Sequence, residues 1–287
     1  MELLLRSDLD PVLESLLGDA IGPDSWFDVL RQTLSTYAWD GWADLDPAEA
    51  APADGMPPPG AARRCLAQLL KMAGPGTATR VVDCGCGGGR TTFELAERHA
   101  GALVLGIDLS VSLLRLARNA AHGRVRYPRR RIGLVYDRCD FPVYPPGAEQ
   151  VDFWACDAMA LPFPAGSVDL AVALNVLDCV PEPRRLLAGL AELVRSGGRL
   201  LLATPYDWST RATPMETWIG GHSQRAADAG AAEPFLRALL TEGAHPQSVP
   251  GVRLLAEQAD WPWHTRLHAR GMVLYRAHLL ALEPMRS

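Results

Sequence analysis

Val81-Val82-Asp83-Cys84-Gly85-Cys86-Gly87-Gly88-Gly89-Arg90, followed by Ala102-Leu103-Val104-Leu105-Gly106-Ile107-Asp108, is the stretch that decides the fold of this chain. It reads as an apolar strand, a glycine turn, a helix, and a second apolar strand ending in an acid. Glycines let the backbone turn sharply and approach a ligand closely. A carboxylate at the tip of the second strand accepts hydrogen bonds from ribose hydroxyls. The stretch therefore predicts a nucleoside-binding turn.

Spacing narrows the nucleoside. A dinucleotide fingerprint beginning at Gly85 needs glycine where Arg90 stands, and the chain instead carries G-x-G-x-G after an acid. Asp83 repels a pyrophosphate and suits a ligand with a positively charged amino group. These residues resemble motif I of the class I methyltransferases, which use S-adenosylmethionine. The resemblance implies that cofactor, with S-adenosylhomocysteine as product, and a Rossmann-like sheet of seven strands whose last strand is antiparallel.

The rest of the chain alternates in the same way. Apolar spacing predicts a helix through Leu66, Leu69 and Leu70, a strand over 80–83, a helix over 90–100, a strand over 102–107 and a helix over 110–121. An irregular insert over about 122–150 comes next. Strands over 151–155 and 168–174, a helix over 183–195, the turn Ser196-Gly197-Gly198 and a strand over 199–203 follow. Continuous rather than alternating apolar strands between helices predict a parallel sheet covered on both faces, a doubly wound α/β domain. A second insert over 205–250 holds a short helix near 233–241. Apolar strands near 252–258 and 272–282 then form an antiparallel pair at the sheet edge. Residues 1–60 read as an N-terminal helical cap or lid with a linker, and 61–287 as the main domain. Leu13, Leu16, Leu17, Trp26, Val29, Leu30 and Leu34 have helical spacing, Tyr37 to Trp42 is an aromatic stretch, and 47–60 is proline-rich.

In an open α/β sheet a ligand sits beyond the carboxyl ends of the strands, where strand order reverses. Four strand ends here carry suitable residues. Asp83, Gly85, Cys86 and Gly87 lie against the amino-acid part of the cofactor, and Arg90 is placed to face its carboxylate. Asp108 with Leu109 takes the ribose, Asp157 with Ala158 takes the adenine, and Asn175 lies beside the sulfonium.

On the substrate side, Asn175-Val-Leu-Asp178, Ala203-Thr-Pro-Tyr206-Asp-Trp208 and Thr213-Pro-Met-Glu-Thr-Trp218-Ile-Gly-Gly221 resemble the methyltransferase domain of ovothiol biosynthesis. That domain N-methylates the imidazole of a mercaptohistidine, and there it follows a sulfoxide synthase part. The resemblance spans about residues 80–282 and implies a small azole or aromatic amine as substrate. Asp178 can hold or deprotonate a ring nitrogen, or cap the helix after Pro181. Tyr206, Trp208 and Trp218 can wall an aromatic substrate, or belong to the core. His222 is a candidate base or a solvated loop histidine. Arg266 and Arg270 can clamp a substrate carboxylate, or face solvent.

A net charge of -5 offers no electrostatic case for nucleic acid. Arg124, Arg126, Arg129, Arg130, Arg131 and Arg138 form the one concentrated basic stretch. Its two readings are an RNA footprint and a solvated flap over the substrate mouth, and the second is preferred. The chain lacks the Asn/Asp-Pro-Pro-Tyr signature of base-amine methyltransferases at its fourth strand. An RNA methyltransferase, a small-molecule O-methyltransferase and a non-catalytic cofactor-binding protein remain alternatives to a small-molecule N-methyltransferase. With no signal peptide or apolar span, the expectation is a cytoplasmic protein with no membrane partner. The six scattered cysteines read as small buried thiols, and no metal site is expected.

Overall fold

The computed structural model describes residues 26–49 and 57–285. The helical spacing read at Leu13, Leu16 and Leu17, and the linker residues 50–56, lie outside the described residues. The first described elements are α1 (Trp26–Trp42) and α2 (Ala61–Ala73), followed by β1 (Arg80–Cys84), α3 (Arg90–Arg98), β2 (Leu103–Asp108) and α4 (Val111–Ala121). Next come β3 (Arg124–Ile132), β4 (Val135–Pro142), β5 (Val151–Ala155), β6 (Val168–Leu174), α5 (Pro183–Leu193) and β7 (Val194–Thr204). The chain ends with α6 (Ala232–Leu239), β8 (Val252–His268) and β9 (Gly271–Pro284).

Seven strands form one sheet in the order β5-β2-β1-β6-β7-β9-β8, parallel except that β9 runs antiparallel to both its neighbours. The apolar runs are continuous because both faces are covered. Val82, Leu105 and Ala171 pack toward Leu186, Leu187 and Leu190 of α5, while Val81, Val104 and Leu170 pack toward Leu66 and Leu69 of α2 and Leu95 of α3. Strand order reverses between β1 and β6, so the ends of these two strands flank a crevice.

Three readings change. The insert over 122–150 is not a solvated flap. Its β3–β4 hairpin sends Val125, Tyr127, Cys139 and Phe141 into a core shared with Trp39 and Trp42 of α1 and Leu114 and Leu116 of α4. The Ser196-Gly197-Gly198 turn is absorbed into β7 as an irregularity, since Val168 pairs with Val194 but Leu170 pairs with Arg199. Finally, β8 and β9 pair far beyond β7. Trp261 to Arg266 lie opposite Met272 to Ala277, whereas β7 reaches only from Leu282 to His278 of β9. This overhang meets α1.

Residues 26–49 are fastened to the sheet and hairpin through charged side chains. Glu49 accepts from Arg129 of β3 and from Arg266 of β8, each at 2.6 Å, and all three side chains are only 17–18% exposed. Removing one partner of such a network leaves uncompensated buried charge, which costs about 3–5 kcal/mol when burial is complete. With partial solvation, and with Asp46 3.6 Å from Arg129, we expect Glu49→Ala to destabilise the fold by about 2 kcal/mol. Urea unfolding measures this, and a change below about 0.5 kcal/mol rejects the seam as a stabilising element.

Candidate active site

The crevice between the ends of β1 and β6 opens into two chambers of about 230 and 330 Å3 that share Thr33, Tyr37, Gly85, Gly87, Leu174 and Asn175. The smaller chamber is lined by Asp108, Leu109, Asp157, Ala158, Cys156 and Cys179 among others, and the larger by Asp40, Cys86, Arg90, Trp263, Thr265 and Tyr275 among others. Most of the expected cofactor residues are thus brought together.

The turn between β1 and α3 is built on close contacts. Gly85 has φ +71°, and a Cβ there would stand 2.4 Å from Val176 Cγ2. Only glycine lets this loop settle on β6's extension. Asp108 clamps the turn from β2: its Oδ2 accepts from the Gly87 amide at 2.8 Å, and its Oδ1 accepts from the Ser110 amide at 2.7 Å. Burial raises the Asp108 pKa, against the lowering effect of these bonds. Asp157 is exposed and its Oδ1 accepts from the Met159 amide at 2.8 Å, so it shapes its own turn at the rim.

Asp83 departs from expectation. It is 1% exposed and lines neither chamber, and its Oδ2 accepts from the hydroxyls of Thr91 and Thr92, both at 2.7 Å. Burial pushes its pKa up to about 6. Its place is beneath the turn, tying β1 to the first turn of α3. Arg90 does line the larger chamber, but its guanidinium donates to Asp44 at 3.0 Å and lies over the Trp42 ring at 5.3 Å. Trp42 Nε1 in turn donates to the Gly88 carbonyl at 2.9 Å, so α1 rests directly on the glycine turn.

Asn175 closes the crevice from β6. Its φ is +55°, its amide donates to the Ala203 carbonyl at 2.8 Å, and its buried Oδ1 has no partner within the protein. A polar atom buried without a partner costs about 1–3 kcal/mol. Facing both chambers, it is free to take a bond from a ligand, and the donor set fits an adenosyl amino acid.

The expected substrate residues are dispersed. Asp178 is 3% exposed and lines neither chamber. Its Oδ2 accepts from the Asp207 amide at 2.7 Å, and the N-cap position of the following helix is held by Glu182, with no side-chain capping bond, not by Asp178. It therefore positions the loop after β7, where the Asp207 carboxylate accepts from the Tyr275 hydroxyl at 2.9 Å. Tyr206 has φ +56° and turns away from the crevice, placing its hydroxyl 2.6 Å from His278 Nδ1. Trp208 stacks on Trp218 with centroids 6.0 Å apart, and Trp218 and His222 line a separate surface cavity beside the start of α5. His222 Nε2 lies 2.7 Å from the Met215 carbonyl. Arg266 is held by Glu49, and Arg270 lies exposed in the β8–β9 turn. None of these lines either chamber.

Instead, α1 and the β8–β9 overhang form the larger chamber. Tyr37 and Asp40 come from the aromatic stretch already noticed in the sequence. Trp263 and Thr265 went unmarked because the polar half of β8 does not read as a strand, and Tyr275, though inside the strand expected near 272–282, carries no motif that assigns it to the site.

Comparison with known proteins agrees with this architecture. A family described as "Methyltransferase domain" matches residues 82–202. The chain is 30% identical to trans-aconitate 2-methyltransferase of Deinococcus radiodurans, over 71% of this chain and 80% of that protein. It is 29% identical to ubiquinone biosynthesis O-methyltransferase of Coxiella burnetii, over 43% of this chain but only 42% of that protein. Among solved structures, the [4+2]-cyclase SpnF superposes with a TM-score of 0.51 at 17% identity, covering 97% of this chain and 93% of that one. A likeness so remote speaks for the fold alone. No described helix is long and apolar enough to cross a membrane. With the glycine turn, the acid-ended second strand, the sheet order and a relative aligned over most of its length all in agreement, the chain belongs to the class I S-adenosylmethionine-dependent methyltransferases.

Proposed function

We propose that this methyltransferase acts on a small, flat nitrogen nucleophile, an azole or aromatic amine, that enters between α1 and the β8–β9 overhang. The observation that carries this reading is the larger chamber: aromatic Tyr37, Trp263 and Tyr275, hydroxyls of Thr33, Thr36 and Thr265, one carboxyl, Asp40, and one arginine, Arg90, already paired with Asp44. Such a lining suits an uncharged or cationic acceptor. It offers no free cation, among the described residues, for an acceptor carboxylate.

When bound, the cofactor supplies a methyl group activated by its sulfonium. In this reading Asp108 accepts from the two ribose hydroxyls, Asp157 and Ala158 border the adenine, and the Gly85–Gly87 backbone and Asn175 hold the amino-acid end. Asp83 and Asp178 act one layer back, holding the turn and the loop after β7. The aromatic walls exclude water and align the nucleophile, which is most of what an in-line displacement at an activated methyl requires.

Two further points bear on the reading. The arginines of β3–β4 have partners within the chain: Arg124, Arg126 and Arg138 with Asp140 and Arg131 with Asp137 on the hairpin, Arg130 with the Gly133 carbonyl, and Arg129 with Glu49 of the segment after α1. That supports a small substrate over RNA. The relatives compared above include proteins named as O-methyltransferases, and the Thr213–Gly221 block, on which the likeness to ovothiol biosynthesis partly rests, lies outside the cleft. Phenols are therefore the rival class. A methylation assay over imidazoles, pyrazoles, aromatic amines, phenols, carboxylic acids and RNA tests this. We expect turnover on the nitrogen classes, and turnover confined to phenols, carboxylates or RNA overturns the reading.

A further inference from the structure

We propose that Asp40, on the last turn of α1, is the catalytic residue that takes the proton from the acceptor nitrogen. The inference rests on the nitrogen-nucleophile reading above and adds the group that performs the proton transfer. Asp40 is the only carboxyl lining the larger chamber among the described residues, and it is 7% exposed. Its Oδ2 accepts from Trp263 Nε1 at 2.8 Å, which fixes the carboxyl plane from β8. Its Oδ1 accepts from the Ala62 amide at a long 3.4 Å, and the Ala61 amide is a further, weaker backbone donor to the carboxyl, which still leaves lone pairs for a substrate proton. A base held by orienting donors, with lone pairs left over, is the geometry general-base catalysis needs.

The groups around it set its proton affinity. Burial is the largest influence and raises its pKa to about 7, while the Trp263 bond, the Ala62 and Ala61 amides and the charge of Arg64 lower it. Arg64 donates to the Pro58 and Pro59 carbonyls, so its charge is partly spent at the mouth of α2. Cys65 of α2 is buried and protonated, Arg90 of α3 is bound to Asp44, and Tyr275 of β9 donates to Asp207. None of these competes for the acceptor proton.

The step balances. The nitrogen lone pair forms the new bond to the methyl carbon, the carbon–sulfur bond breaks with its pair remaining on sulfur, and the N–H proton passes to Asp40. That proton returns to solvent before the next turnover. An azole or amine is otherwise left as a cation in a water-poor chamber, which is the state Asp40 relieves.

Asp40→Asn keeps an acceptor for Trp263 but cannot take a proton. In the wild-type protein kcat/KM for the best acceptor of the panel should rise with pH and level off above an inflection near the Asp40 pKa. In Asp40→Asn, kcat should fall about 100-fold or more and the inflection should vanish, with S-adenosylhomocysteine affinity unchanged. Trp263→Phe removes a bond that favours the carboxylate, so its inflection should move to higher pH. A kcat within about fivefold of wild type and an unchanged pH profile in Asp40→Asn overturns the proposal. If the best acceptor is a phenol, the nitrogen reading fails while the same variants still decide the role of Asp40. If no acceptor turns over, the Trp263 indole N–H resonance replaces the assay: titration in the wild type that is absent from Asp40→Asn supports the proposal, and a flat signal from pH 5.5 to 9 overturns it.

Discussion

Asp108→Ala is expected to weaken S-adenosylmethionine binding by about 100-fold or more. Two ribose hydroxyls donating to a charged acceptor contribute about 1.5–3 kcal/mol each, and a factor of ten in affinity corresponds to about 1.4 kcal/mol. The substitution has a second consequence, because the same carboxylate holds the Gly87 and Ser110 amides at 2.8 and 2.7 Å. Without it the glycine turn lining the crevice loses its clamp to β2. Asp108→Asn, which keeps one acceptor oxygen, should fall between the parent and the alanine variant. The pH dependence has a definite sign: burial raises the Asp108 pKa, binding requires the ionised form, and affinity should therefore fall as acid protonates this group. Titration calorimetry on the three proteins measures all of this. An alanine variant that binds within about threefold of the parent removes Asp108 from the ribose site.

The sheet was legible in the sequence because burial on both faces leaves an unmistakable mark. Val81-Val82 and Ala102 to Ile107 are continuous apolar runs, and the strand order follows from their alternation with helices. The β3–β4 hairpin was not. Its period of two is present, with Val125 and Tyr127 buried and Arg124 and Arg126 exposed, but Pro128 and the following arginines hide it. The proline is tolerated because β3 pairs only with β4 in a two-stranded sheet. The outer half of β8 was missed for a related reason: Trp261-Pro262-Trp263-His264-Thr265 is neither apolar throughout nor free of proline, and its burial comes from α1, more than two hundred residues away in the chain.

The site divides along the same line. Residues fixed by strand ends, such as Gly85, Asp108 and Asn175, could be placed at the crevice because the sheet dictates where strands stop. Residues on loops could not, since side-chain direction there depends on local backbone geometry. Tyr206 stands three residues after β7 reaches Ala203, close to Asn175 in register, yet its positive φ sends the ring toward His278 and Glu257. His222 and Trp218 follow a chain that has already left the crevice. Arg266 had the right residue type and strand, but Glu49 occupies it. Asp40 went unnoticed because an acid on a helix normally faces water. The overhang, which sets Trp263 against it, and the start of α2, whose Ala62 amide reaches it, together make it a buried carboxyl.

That burial leads to the second large effect, on stability. Asp40→Asn should unfold at a higher temperature than the parent at pH 8, even as it loses activity. The pKa of Asp40 is raised from 3.8 to about 7 by burial. Below the unfolded value both states carry the proton, and the full stability is present. Between there and the folded value the unfolded chain ionises first, so stability falls as pH rises, and above about 7 it is flat at its lowest. A shift of this size corresponds to at most about 4 kcal/mol, at about 1.36 kcal/mol per unit. An asparagine carries no charge at any of these pH values and escapes the loss. We therefore expect the variant to gain about 2–4 kcal/mol at pH 8 and less than about 1 kcal/mol at pH 4.5, read as a rise in Tm of several degrees at the higher pH only. Thermal unfolding of parent and variant across this range measures it. A carboxyl whose pKa burial had not raised predicts the opposite: a variant that is no more stable than the parent at any pH.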